Sequence, residues 1–251
     1  MTPAGSAPTQ RELLLGDYHV HSTFSDDAHS TLADNLAAAD AAGLRAIRLT
    51  DHVRAATTWV PEFVAAVAAE RIPSGLRVIT GVETKLLDAS GAVDLPSDLI
   101  VGAPGGVDAI VIGDHQFPGP DGPWSPGATR ERLASGLSEE DALDLFVTAS
   151  VRVMERTPHA QLAHWFSILP KVGLSEDGLG ASRLTAWADT AARTGTIVEV
   201  NEKWACPGPA AVAALVASGA RIVASTDSHA AAEVGRYDRV VRILDEAGMP
   251  A

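Results

Sequence analysis

The chain has 251 residues, 46% hydrophobic and 20% charged, enough apolar material for a full core and incompatible with a disordered polypeptide. Lys and Arg total 19 against 32 Asp and Glu, a net charge of −13, so nucleic acid and anionic membrane are not expected partners unless positive charge is concentrated locally, as bound divalent metals would do. A single cysteine, Cys206, leaves no internal disulfide and no cysteine zinc site, which fits a reducing, cytoplasmic setting.

Residues 1–11, "MTPAGSAPTQR", are polar, lack the apolar core of a signal peptide and are read as a flexible tail. The rest, 12–251, reads as one domain in which strands and helices alternate. "LLLGDYHVH" (13–21) is the first predicted strand. "TLADNLAAADAAGL" (31–44) is a helix with Ser30 as N-cap and Gly43 near its stop. "RAIRLTDH" (45–52) is a second strand, and "PEFVAAVAAE" (61–70) a helix opened by Pro61. "LRVITGVETKLL" (76–87) is a third strand, followed by a turn or small hairpin through Ser90 and Gly91. "VDAIVIGDH" (107–115) is a fourth strand, and the Pro- and Gly-rich loop 116–136 is long enough to be functional.

"SEEDALDLFVTASVRVMERT" (138–157) is a helix with a capping box, Ser138 and Asp141. Three strands follow, "AQLAHWF" (160–166), "TIVEVNE" (196–202) and "RIVASTDSH" (221–229), separated by helices at 182–195 and 209–220. A helix at 232–248 closes the chain. Alternating units predict a parallel sheet. Seven of them favour a closed (β/α)7 barrel, with an open doubly wound sheet as the alternative.

Functional residues of parallel α/β folds collect at the C-terminal ends of strands. The predicted ends carry His19 and His21 with Asp26 and Asp27 beyond, Asp51 and His52, Glu83, Asp114 and His115, His164, Glu199, Asn201 and Glu202, and Asp227 and His229. Singly, each has a plain structural reading: Asp51 as a helix N-cap, Glu83 as a surface carboxylate, His115 as a core histidine. Six of the eight histidines at strand ends is a pattern that such coincidences do not produce. His19 and His21 share one side of a strand, which suits two ligands on one metal. Mixed imidazole and carboxylate donors suit Zn, Mn or Fe. His29, at a helix entry, and His159, before the fifth strand, fall outside this set. Trp124, in the long loop, is a candidate lid.

The motifs "DYHVHSTFSDDAHS", "LTDHV", "GVET", "GDHQF", "LAHWFSI" and "ASTDSHA" together resemble the PHP (polymerase and histidinol phosphatase) family over nearly the whole chain, and "TDSHAAAEVGRY" resembles its histidinol-phosphatase branch. The resemblance implies a distorted (β/α)7 barrel with two to three divalent ions at its mouth. It implies that His19, His21 and Asp227 hold the first ion, that Glu83 bridges to a second held by His115 and His164, and that His52, His229 and an acidic residue, preferably Asp26, hold the third. Glu83, Asp227 and His229 are then the catalytic candidates. One departure is His164-Trp165 where many members have His-Pro, a change expected to reshape the wall near the second ion. "NEKWACPGP", with Trp204 and Cys206, matches no family feature.

The implied activity is hydrolysis of a small phosphomonoester, histidinol phosphate being one candidate, by a metal-bridging hydroxide. Arg54, Lys203 and Arg236 are candidate substrate-binding cations, and loop 116–136 is expected to select the alcohol. Two alternatives remain. An amidohydrolase-type site also begins with His-x-His, but needs a lysine where this chain has His115. A non-catalytic scaffold would have lost ligands that are all present here.

Overall fold

The computed structural model describes residues 8–251, so residues 1–7 of the expected tail lie outside the described residues. The elements run α1 (Gln10–Leu13), β1 (Gly16–Val20), α2 (Leu32–Ala41), β2 (Ala46–His52), α3 (Val60–Ala69), β3 (Arg77–Lys85) and β4 (Ala109–Gly113). Then come β5 (Phe117–Gly119), β6 (Gly122–Trp124), α4 (Pro126–Ala134), α5 (Glu139–Arg156), β7 (Gln161–Ala163) and α6 (Ile168–Val172). The chain ends with α7 (Gly180–Thr194), β8 (Ile197–Asn201), α8 (Pro209–Ser218), β9 (Arg221–Ser225) and α9 (Arg239–Glu246).

Seven strands form one sheet in the order β1-β2-β3-β4-β7-β8-β9, every pair parallel. The two edges meet. Val20 bridges Ser228 in parallel, and the amide of His21 donates to the carbonyl of Ser228 at 2.9 Å. Asp17 seals the same seam, accepting from Thr226 N (3.0 Å), Thr226 Oγ1 (2.6 Å) and Gly235 N (3.0 Å). The barrel is therefore nearly closed, and the open doubly wound alternative is excluded.

Helices cover the barrel because their apolar residues recur at helical spacing. On α7, Leu184, Trp187, Ala188 and Ala191 are buried; on α5, Phe146, Ala149, Val153 and Met154 are. The first helices form a second apolar layer, in which Phe63 of α3 packs with Ile47, Leu49 and Val82 of the strands beneath. Among the described residues no helix is long and apolar enough to cross a membrane.

Several boundaries differ from the sequence reading. Thr9 caps α1, and Gln10 of α1 is buried and bonds to Asp245 and to the carbonyl of Met249, so the end of the expected tail is helical and tied to the body through Gln10. The N-cap of α2 is Thr31, not Ser30; Thr31 and Asp34 make a full capping box. Ser138 accepts from the Asp141 amide at 3.0 Å and so caps α5. The expected helix 232–248 begins only at Arg239, after a short 3-10 turn at Ala231–Glu233.

The barrel interior below the mouth is polar. Arg48 is buried and donates to Gln161, whose Nε2 donates in turn to Glu199 Oε2 at 2.6 Å. Burial lowers the Arg48 pKa to about 10, partly offset by the charge of Glu199, so the guanidinium stays protonated at neutral pH. Gly81 makes room for this: a Cβ there would lie 2.9 Å from Thr50 Oγ1 and 3.1 Å from Arg48 Cδ.

Candidate metal centre

Glu83, near the end of β3, is the hub. It is 1% exposed. Its Oε1 lies 2.9 Å from His115 Nε2 and 3.1 Å from His164 Nε2. Its Oε2 lies 2.9 Å from His52 Nδ1, 3.3 Å from His19 Nε2 and 3.4 Å from His21 Nε2. Parallel closure makes this possible, because His52 pairs in register with Glu83 and the other strands end on the same rim. Gly113 is required by the close approach: a Cβ there would stand 2.5 Å from His115 Nε2 and 2.8 Å from Glu83 Oε1.

Asp227 completes one side, with Oδ1 at 3.2 Å from His21 Nε2, 3.7 Å from His229 Nδ1 and 3.9 Å from His19 Nε2. On the outer side, Asp27 Oδ2 lies 3.5 Å from His52 Nε2 and 3.3 Å from His229 Nε2. Asp26, the residue preferred from the sequence, is exposed and makes no ion pair or hydrogen bond with its carboxylate among the described residues. The turn after β1 aims Asp27 at the two imidazoles and leaves Asp26 on the pocket rim.

Three groups of donor atoms lie within 4.8 Å of one another: His21, His52 and His229; His19, His21 and Glu83; His52, Glu83 and His115. The residues fit metal ions on independent grounds. Despite these short distances, His19 Nε2, His21 Nε2 and Glu83 Oε2 are buried without a well-directed hydrogen bond, and poorly paired buried polar atoms are costly. All three point into the cluster, where a cation would satisfy them. The opposite ring nitrogens are held as metal-binding imidazoles usually are. His19 Nδ1 faces Glu199 at 3.1 Å, His164 Nδ1 faces Asp114 at 3.1 Å, and His21 Nδ1 lies 3.3 Å from Ser25 Oγ. His164 and Asp227 hold left-handed backbone conformations, φ 36° and 53°, strain of the kind that gathers at functional sites.

Burial works against the charge of Glu83, but His19 and His115 outweigh it and hold its carboxyl well below the usual carboxylate range. Burial also opposes a charged His164, yet Asp114 and Glu83 raise its pKa to about 10. Burial dominates at His21, which falls to about 4. Cation binding at the cluster would therefore be coupled to loss of a proton from an imidazole whose pKa is raised, as at His164.

Asp27, His52, Glu83, His115, His164, Asp227 and His229 line a pocket of about 370 Å³ together with Arg54, Lys85, Lys203, Gln116 and Trp204, while His19 and His21 are fully buried and do not line it. Of the expected cations, Arg54 and Lys203 reach it; Arg236 is exposed and does not line it. Loop 116–136 contributes only Gln116 to the pocket. Its strands β5 and β6 form a hairpin, and Trp124 stacks on Phe117 at 6.0 Å and does not line the pocket. Trp165 is fully buried and donates to Ser150 Oγ at 3.0 Å, so it faces the helical core and not the pocket wall. Asp51 is no helix cap: it accepts from Ser22 N, Ser22 Oγ and Ser25 Oγ, and so anchors the turn that carries Asp27. His29 and His159 are exposed and outside the pocket.

The sequence reading placed Glu199 and Asp114 at strand ends without a role; both support imidazoles. It missed Lys85 and gave Trp204 no role. The period-2 pattern of β3, which puts Lys85 on the same side as Glu83, was the available signal for Lys85.

The family profile described as PHP domain matches residues 17–151. A probable phosphatase of Acetivibrio thermocellus is 24% identical over 243 residues, covering 93% of this chain and 87% of that protein. The probable phosphatase YcdX of Escherichia coli is 24% identical over 248 residues, covering 93% and 86%. The crystal structure of a histidinol phosphate phosphatase from Lactococcus lactis, complexed with zinc, L-histidinol and phosphate, aligns with a TM-score of 0.61 at 17% identity, over 93% of this chain and 94% of that one.

Proposed function

From a chain that belongs to the PHP domain family, we propose a metal-dependent hydrolase of small phosphomonoesters. The observation that carries this is the buried carboxylate of Glu83 set among five imidazoles at the base of a cation-rimmed pocket. The relatives named as probable phosphatases support the same reading.

His19, His21 and Asp227 are the proposed ligands of one ion, His115 and His164 of a second, and His52, His229 and Asp27 of a third, with Glu83 shared between the first two. Divalent ions bound there would supply charge for the phosphoryl oxygens and the acidity that makes water a nucleophile near neutral pH. The chain's own residues do the rest. Glu199 and Asp114 fix His19 and His164 so that each Nε2 faces the cluster. Arg54, Lys85 and Lys203 offer positive charge to an anionic substrate in an otherwise acidic protein. Lys203 Nζ lies 3.0 Å from His229 Nδ1 and 3.7 Å from Asp227 Oδ2, which holds that charge at the rim of the cluster. An amidohydrolase-type site fits less well, because the end of β4 carries His115 where a lysine is needed.

The test is phosphate release from a panel of phosphomonoesters, histidinol phosphate included, by protein stripped with chelator and then reloaded with zinc or manganese. Release is expected only after reloading, and no release with any metal sinks the reading. The Asp26/Asp27 choice separates cleanly in the same assay. Asp27→Ala is expected to lower kcat on the order of tenfold and to reduce bound metal. Asp26→Ala is expected to stay within about twofold, because its carboxylate touches neither imidazole. Equal losses in both variants would remove Asp27 from the ligand set.

A further inference from the structure

The segment that matches no family feature, "NEKWACPGP", builds part of the pocket wall. A tight turn closes where Asn201 N donates to the Cys206 carbonyl at 2.7 Å, and Trp204 N donates to Asn201 Oδ1 at 2.9 Å. Ala205 takes a left-handed conformation, φ 53°, which reverses the chain beside Trp204. The turn presents Lys203 and Trp204 to the pocket.

The Trp204 ring is held on two sides. Its Nε1 donates to Asp227 Oδ2 at 2.9 Å, and Lys171 Nζ lies 3.7 Å from the ring centroid. The His164 ring stands 6.1 Å away. Trp204 still remains 40% exposed, and it is the one large exposed hydrophobic side chain of the described residues that borders this pocket. A single exposed apolar residue on an open surface needs no explanation. A locked indole in a pocket otherwise lined mainly by charged and polar groups is different: it offers a flat apolar wall at little cost in side-chain freedom. The phosphate would be claimed by the cations and the cluster, which leaves Trp204 for the alcohol portion.

We propose that Trp204 is a specificity-determining residue, a platform on which a planar ring in the alcohol portion of the substrate packs. This rests on the phosphomonoester reading above and adds a substrate class to it. It also moves the choice of alcohol from loop 116–136 to the turn 201–206.

Two esters isolate the ring: 2-phenylethyl phosphate and 2-cyclohexylethyl phosphate, alike in size and leaving-group chemistry. Their kcat/KM ratio is measured for the metal-loaded wild type, Trp204→Phe and Trp204→Leu. Losing the bond to Asp227 slows both esters alike, so the ratio reports the ring. The wild type is expected to favour the phenyl ester about fivefold, mostly through KM. Trp204→Phe should keep part of that preference, and Trp204→Leu should bring the ratio to within about twofold of one. Equal wild-type values, a preference that survives in Trp204→Leu, or failure to cleave either ester while other phosphomonoesters are hydrolysed would overturn the inference and leave the phosphatase reading standing. Hydrolysis of no phosphomonoester at all would bring down both.

Discussion

Glu83→Gln is expected to lower kcat for phosphomonoester hydrolysis by about a thousandfold or more and to strip bound metal from the protein. Both carboxylate oxygens are engaged, Oε1 by His115 and His164, Oε2 by His52, His19 and His21. Glutamine keeps the shape, removes the charge and turns an amide N–H₂ toward nitrogens that themselves seek a cation. A loss of about 4 kcal/mol of transition-state stabilisation corresponds to that factor. Elemental analysis and phosphate release on the same preparation check it. Thermal unfolding adds a control: metal should stabilise the wild type by mass action and leave the variant nearly unmoved. Retained metal with activity within tenfold would remove Glu83 from the centre of the site.

Glu176→Gln should make the protein more stable at pH 8 and not at pH 4.5. Glu176 is half-buried, and both its oxygens accept from Gly208 N at 2.9 Å, which ties the start of α8 to the 3-10 turn Glu176–Leu179. Burial pushes its pKa from 4.5 up to about 7, against the opposing Gly208 bond. Between those values the folded state holds a proton that the unfolded state has released. Stability contributed here is therefore full below pH 4.5 and is lost as pH rises through 7. The ionised group costs on the order of 1–3 kcal/mol above that window. Glutamine mimics the protonated form at every pH and keeps one acceptor for Gly208. Urea unfolding of chelated wild type and variant at both pH values gives the difference directly. A variant no more stable than wild type at pH 8 would show that the Gly208 bond outweighs the burial of charge.

Much of the fold was legible because its signals are local. Apolar runs ending in ligand-type residues marked seven strands, and helical spacing marked α2, α5, α7 and α8 between them. Short elements escaped. Helix α6 lies between Ser167, which hydrogen-bonds to Asp114, and the left-handed Gly173. The hairpin β5–β6 has three residues in each strand, too few for a period to show.

The sequence by itself determined that His19, His21, His52, Glu83, His115, His164, Asp227 and His229 share one rim, because a parallel barrel sends every strand's C-terminal end the same way. Tertiary structure decided which neighbours those residues meet. It brought Asp27 rather than Asp26 within reach of His52 and His229, set Glu199 behind His19 and Asp114 behind His164, and ran Arg48 and Gln161 through the interior. It turned loop 116–136 away and put Trp204 against Asp227 instead. Each of these contacts joins side chains far apart along the chain or depends on how a turn is anchored. Periodicity reports only which face of its own element a residue occupies, so such pairings appear only when the barrel closes.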